Sequence, residues 1–271
     1  MRRVSSAKIT NYWLRQYILL GYIAKGIIYL LIGVFAVQAA IFYNREATGT
    51  YLSLTSLAEK PFGKLLVFIL AIALMGYVLR RLFQIILLPQ YSTVSGFKRL
   101  FKQAGYMMSG LSYTGVAYSA LSIALRKGEY DDTAEDLADE LFELPVGEWL
   151  IFLAGIAVLT VGLFYIWGAY TGSYISEFES SDIHHRVEKW TRRVGKYGVA
   201  ARGVSFVLTG IFIVRAALNG DSELAGGLQN VLQALVAQPL GELWLSLVGL
   251  GFIAYGLYML VAAKYRRYAI K

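Results

Sequence analysis

The chain has 271 residues, 57% of them hydrophobic and 16% charged, with 26 Lys and Arg against 18 Asp and Glu for a formal net charge of +8. Soluble domains carry about a quarter charged residues, so a soluble fold is excluded and a membrane domain indicated. Cysteine is absent, which removes disulfides, redox thiols and thiolate metal sites together.

Six stretches, at 17–42, 65–88, 104–125, 149–170, 199–218 and 243–263, are apolar over the roughly 20 residues that cross a hydrocarbon core about 30 Å thick. All six are expected to be membrane-spanning helices. Arg2 and Arg3 ahead of a first stretch that reaches Val37-Gln-Ala39 imitate a secretory signal. Lys25 interrupts that stretch and its length exceeds a signal core, so it is expected to stay as a helix. In the loops after stretches 3 and 5, Ala134, Leu137, Ala138, Leu141 and Leu228, Val231, Leu232, Leu235 have helical spacing and predict short amphipathic helices on the outer side.

The chain repeats itself. Gly21, Gly26 and Gly33 return with the same spacing as Gly198, Gly203 and Gly210, and as Gly105, Gly110 and Ala117. Each set is followed, 35 or 36 residues beyond its middle glycine, by Pro61-Phe-Gly63, Pro145-Val-Gly147 or Pro239-Leu-Gly241. Three copies of one helix pair follow, at 1–98, 99–182 and 183–271, within one membrane domain. Each proline is expected in the first turn of its second helix. The fold class is all-α: six transmembrane helices as three parallel two-helix repeats. A rotation about the membrane normal relates parallel repeats, so a closed bundle with pseudo-threefold symmetry is the simplest arrangement and an open row of hairpins the alternative. Gly26 with Gly33, Gly110, and Gly203 with Gly210 mark faces where a neighbouring backbone can approach, each beside a ring three residues on, at Tyr29, Tyr113 and Phe206.

Eighteen of the basic residues fall at the two termini and in the segments joining one repeat to the next, which by the positive-inside rule places both termini in the cytoplasm. Fourteen acidic residues lie on the opposite side and reinforce this orientation. The basic inner face suits anionic lipids or a membrane partner subunit. It does not suit nucleic acid, for which the chain has no length to build a folded basic module.

Charges inside a span are functional candidates because their insertion costs a few kcal/mol. Lys25 and Arg202 occupy equivalent places in the first and fifth stretches, and Ser109 holds that place in the third. Inward orientation would make a cationic ring for an anion or lipid headgroup; the competing reading is that the two long side chains snorkel to the interface. Arg80, Arg81 and Arg215 are expected at interfaces. His184 and His185 are neighbours and diverge, which argues against haem or metal, and the acidic run from Asp131 to Glu143 lacks the spacing of a calcium loop. No cofactor, metal or catalytic residue is expected, and the chain is not read as an enzyme.

Ala201-Arg202-Gly203, the Leu-x3-Pro-x-Gly loop ending and Tyr255-Gly-Leu-Tyr258, set in three helix pairs, resemble the DUF1206 family of bacterial membrane proteins. The resemblance implies the six-helix architecture and a bacterial cytoplasmic membrane, with no activity attached. Two functions stand: a structural or interaction protein with a basic cytoplasmic face, which the apolar centres of the second helices favour, and a small-anion or small-solute channel or transporter with an axial cationic site.

Overall fold

The structure is a computed structural model and describes residues 7–8, 12–42, 49–91, 97–125, 133–175, 185–265 and 269–270. Its helices are α1 (Tyr12–Ile41), α2 (Thr50–Ala58), α3 (Gly63–Tyr91), α4 (Phe97–Ala124), α5 (Thr133–Phe142), α6 (Gly147–Thr171), α7 (His185–Asn219), α8 (Gly227–Val236) and α9 (Gly241–Tyr265). Short 3-10 turns cover Ser173–Ile175 and Ser222–Ala225. Ala7 and Lys8 pair antiparallel with Ile270 and Ala269, which holds the two ends of the chain side by side.

Among the described residues five helices, α1, α3, α6, α7 and α9, are long and apolar enough to cross a membrane. The protein is therefore an all-helical, multi-pass membrane protein. The third predicted span is helical as α4, but Ser109, Ser112, Thr114, Ser119 and Ser122 make it less apolar than its neighbours, and it is not among the five. The five tryptophans agree with a bilayer setting. Trp13, Trp149, Trp167, Trp190 and Trp244 are all exposed and lie toward helix ends, where indole rings sit at a membrane interface. Trp149 and Trp167 are separated on α6 by roughly 27 Å at 1.5 Å per residue, close to one hydrocarbon thickness.

Three helix pairs dominate the packing: α1 with α9, α3 with α4, and α6 with α7. Two further pairs, α1 with α3 and α7 with α9, link them into the spatial order α4, α3, α1, α9, α7, α6. Lipid tails are as apolar as leucine, so association rests on close packing, and small residues permit it. A β-carbon at Gly33 would lie 2.6 Å from Gly249 O, and one at Gly256 would lie 2.7 Å from Gly26 O. The α6–α7 pair repeats the device, with a β-carbon at Gly210 placed 2.8 Å from Gly155 O and one at Gly203 placed 2.9 Å from Gly162 O. The α3–α4 pair has no such facing glycines. Ala71 and Val78 stand in α3 where α9 has Gly249 and Gly256, and a β-carbon at Gly110 would meet only Arg81 Cβ, at an ordinary 3.5 Å.

Both predicted amphipathic helices are present, as α5 and α8. A further short helix, α2, has no periodic apolar face in sequence; it buries Ser53, Leu54 and Ala58. The prolines do not open the long helices. Pro61, Pro145 and Pro239 lie in turns two residues ahead of helices that start at the glycines, and the backbone of each turn approaches the end of the preceding amphipathic helix. Gly63 N–H donates to Lys60 O at 2.8 Å and Gly147 N–H to Leu144 O at 2.9 Å, and a β-carbon at either glycine would collide with the Leu57 or Leu141 carbonyl. That collision explains the glycine of the Leu-x3-Pro-x-Gly signature.

Candidate functional site

Lys25 lies near the middle of α1 and Arg202 midway along α7, the latter roughly 25 Å from either helix end. Neither snorkels. Lys25 is 2% exposed and Arg202 3% exposed. The snorkelling expectation placed Lys25 about two turns from the inner boundary; α1 begins at Tyr12, which moves it to mid-helix.

Each cation is met by a tyrosine on the second helix of its own pair. Lys25 Nζ donates to Tyr77 Oη on α3 at 3.1 Å, and Arg202 Nη1 donates to Tyr255 Oη on α9. Tyr77 and Tyr255 each lie sixteen residues past their proline, so the same bond is built twice. The equivalent of Tyr77 on α6 is Val161 and the equivalent of Lys25 on α4 is Ser109, so the middle pair lacks both partners. Ser109 turns instead to the first pair, 3.1 Å from Tyr77 Oη. Tyr77 can donate its proton to Ser109 while accepting from Lys25 and from Arg81, whose Nε and Nη2 lie at 3.0 and 2.5 Å.

Aromatic faces surround both charges. The Lys25 ammonium is 4.4 Å from the Tyr77 ring centroid, 4.5 Å from Tyr113 and 5.5 Å from Tyr255. The Arg202 guanidinium has Phe206 and Tyr255 at 4.9 Å, Tyr165 at 5.0 Å, Tyr29 at 5.1 Å and Tyr113 at 5.6 Å. Tyr113 and Tyr255 face both cations, so Lys25 and Arg202 converge. Each such contact contributes about 0.5 to 2 kcal/mol, more when water is excluded, which lets two like charges sit at mid-depth.

Among the described residues neither Lys25 nor Arg202 is ion-paired, and Arg202 Nε is buried without a hydrogen-bond partner. Arg202 is among the residues that line a cavity of about 150 Å³. Tyr29, Tyr113, Ser205, Thr209 and Phe252 line it, and Thr50 of α2 and Leu228 of α8 lie at its loop side. Gly49 N–H donates to Gln229 Oε1 and ties α2 to α8 there.

Arg80 and Arg81 depart from the interfacial expectation. The helix runs on to Tyr91, and both are buried, with Arg80 over the Tyr22 ring at 5.2 Å and Arg81 bonded to Tyr77 and to Gln84. Arg215, near the C-terminal end of α7, is exposed. The sequence reading assigned Tyr77 and Tyr255 no site role, taking Tyr255 only as part of the Tyr255-Gly-Leu-Tyr258 motif in helices with apolar centres; their common offset from proline was the available signal.

No group of three or more metal-capable side chains occurs among the described residues. His184, Asp131 and Asp132 lie outside the described residues, as do the side chains of His185, Glu135 and Asp136.

The geometry repeats in units, and so do the likenesses to known proteins. No solved structure matches. The Bacillus subtilis (strain 168) protein named "Uncharacterized protein YxxB" is 28% identical over 257 residues, covering 95% of this chain and 93% of that one. The family described as "Domain of Unknown Function (DUF1206)" matches three times, at 20–85, 104–172 and 197–266. With three matched segments spread over most of its length, each holding one long helix pair, the chain belongs to the DUF1206 family.

Proposed function

We propose that this protein binds an anionic solute at a buried cationic centre within the membrane and conducts or carries it. The supporting observation is the convergence of Lys25 and Arg202 on shared tyrosine rings, with no ion pair to either among the described residues, and a cavity lined by Arg202, whose Nε is unbonded. Two like charges placed inside the span without a carboxylate partner among the described residues cost several kcal/mol, which the aromatic contacts offset only in part. Structural packing alone offers no return for that cost, because the same helices are already joined through glycine faces. A carboxylate or phosphate would supply the missing acceptor, and about 150 Å³ is comparable to the cavity that holds a benzene ring.

In this proposal α4 is the sixth span, and the three repeats, at 1–98, 99–182 and 183–271, form a ring with approximate threefold symmetry. Packing of α3 on α4, α6 on α7 and α9 on α1 supports that order, since each joins the second helix of one repeat to the first of the next. The distribution of basic residues favours a bacterial inner membrane with cytoplasmic termini, the inner face resting against anionic lipids. A second reading, a packed scaffold for a partner subunit, is favoured by the reciprocal glycine contacts of α1 with α9 and α6 with α7.

Thermal stability and native mass spectra of wild type and the Arg202→Gln, Lys25→Gln double variant, taken with chloride, acetate and phosphate, separate the two. The site requires an anion-dependent gain in wild type that the double variant lacks; saturation at about 100 times Kd corresponds to roughly 2.7 kcal/mol. Equal responses from both proteins leave the scaffold reading.

A further inference from the structure

The helix ring is uneven at one place. In the first repeat Gly21 of α1 packs on the backbone of Tyr77, and in the third Gly198 of α7 packs on the backbone of Tyr255. Gly105, their equivalent on α4, has nothing within 4 Å of where its β-carbon would lie. Gly115, roughly 15 Å further along the same helix, is equally open. The helix that should cover this face is α6, and α4 and α6 make at most marginal contact, whereas both other first-and-second helix pairs pack closely. Of the loop-side helices, α2 contributes Thr50 and α8 Leu228 to the cavity lining.

The cavity grades toward this opening. Arg202, Tyr113 and Ser205 are buried at its floor, while Ser112 of α4 lines it and is exposed. Arg202 makes the cavity lining cationic, Gly105 and Gly115 leave open space on α4, and Val161 of α6 is the repeat equivalent of the tyrosines that Gly21 and Gly198 pack against. About 150 Å³ holds a carboxylate or phosphate with a few carbons and no acyl chain.

Resting on the anion-site reading, we propose that the α4–α6 gap is a lateral portal and that the ligand is a single-chain anionic amphiphile, its acidic head at Arg202 and its acyl chain lying between α4 and α6. Entry from the bilayer removes the cost of bringing a bare anion through hydrocarbon, because the chain remains in lipid-like surroundings while only the head is exchanged into the protein.

Palmitate, acetate and inorganic phosphate are the probes, with wild type, Gly105→Phe and Arg202→Gln in mild detergent. Gly105→Phe fills the gap without touching the cavity lining, and Val161→Phe fills it from the opposite wall if the first variant fails to fold. Native mass spectra and melting temperatures are expected to show one palmitate bound to wild type and at least tenfold weaker binding to Gly105→Phe, which keeps the wild-type response to acetate and phosphate. Arg202→Gln is expected to lose all three responses. Palmitate binding unaffected by both gap-filling variants, or stabilisation by acetate and phosphate with none by palmitate, overturns the portal and leaves the anion site standing. Identical responses of wild type and Arg202→Gln to every probe overturn both.

Discussion

Tyr77→Phe removes one oxygen atom and isolates the interior charge. The hydroxyl accepts from Lys25 Nζ at 3.1 Å, which is the only hydrogen bond of that ammonium among the described residues, and from Arg81 Nε and Nη2 at 3.0 and 2.5 Å. The ring remains, so the cation–π contact at 4.4 Å is retained and the variant isolates the hydrogen bonds. A charged hydrogen bond contributes about 1.5 to 3 kcal/mol, and breaking a buried charged pair costs about 3 to 5 kcal/mol. Neutral hydrogen bonds between membrane helices average nearer 0.6 kcal/mol, which pulls the value toward the lower end. Arg81 keeps Gln84 Oε1 at 2.8 Å, so most of the loss falls on Lys25. A destabilisation of about 3 kcal/mol is expected, or roughly 8 °C in a detergent melt for a chain of this size. Lys25→Met in the Tyr77→Phe background removes the stranded charge and is expected to restore at least half of the loss, a coupling read from the four-protein cycle. A Tyr77→Phe cost under about 0.5 kcal/mol, or no restoration by Lys25→Met, refutes the claim that Tyr77 holds the Lys25 charge in place.

Three further outcomes are expected. Gly210→Ala places a β-carbon 2.5 Å from Leu159 N and is expected to cost about 2 to 4 kcal/mol through forced separation of α6 and α7, whereas Gly105→Ala meets open space and is expected to be neutral or to gain about 0.5 to 1 kcal/mol, both read by thermal melts. Arg202→Lys keeps the charge but loses the planar donor fork, so anion-dependent stabilisation is expected to fall at least tenfold with little change in the ligand-free melt, measured by an anion titration. Because the chain has no native cysteine, single cysteines at Glu59, Glu140 and Lys189 report orientation without background. An impermeant maleimide added to intact cells is expected to label the first two and to miss the third, and the reverse pattern would invert the proposed topology.

Much of this architecture is legible in the residues because membrane helices are written in two strong signals, apolar length and small-residue spacing. The helix positions were reached from those signals, the short helices α5 and α8 from helical periodicity, and the family from the resemblance of the Ala201-Arg202-Gly203, Leu-x3-Pro-x-Gly and Tyr255-Gly-Leu-Tyr258 motifs. What escaped depends on contacts between segments far apart in the chain. Thr50–Ala58 lacks a periodic apolar face because Ser53 is buried beside Leu54, so α2 reads as loop. Arg80 and Arg81 resemble an inner boundary in sequence, yet the helix continues, with Arg81 bonded to Tyr77 and Gln84 and Arg80 placed over the Tyr22 ring. Lys25 and Tyr77 are 52 residues apart, and no local pattern announces that one will donate to the other. The loss of both the cation and its tyrosine from the middle repeat, as Ser109 and Val161, was visible, but its meaning needed the open face of α4 beside it.

Anomalous diffraction from bromide-soaked crystals locates an anion directly. A bromide peak within hydrogen-bond distance of Arg202 Nε, absent from Arg202→Gln crystals grown in the same form, is the expected result. Bromide found only at the protein surface while the interior around Arg202 stays free of density would mean that the aromatic rings alone satisfy these charges, and the membrane-embedded anion site would have to be abandoned.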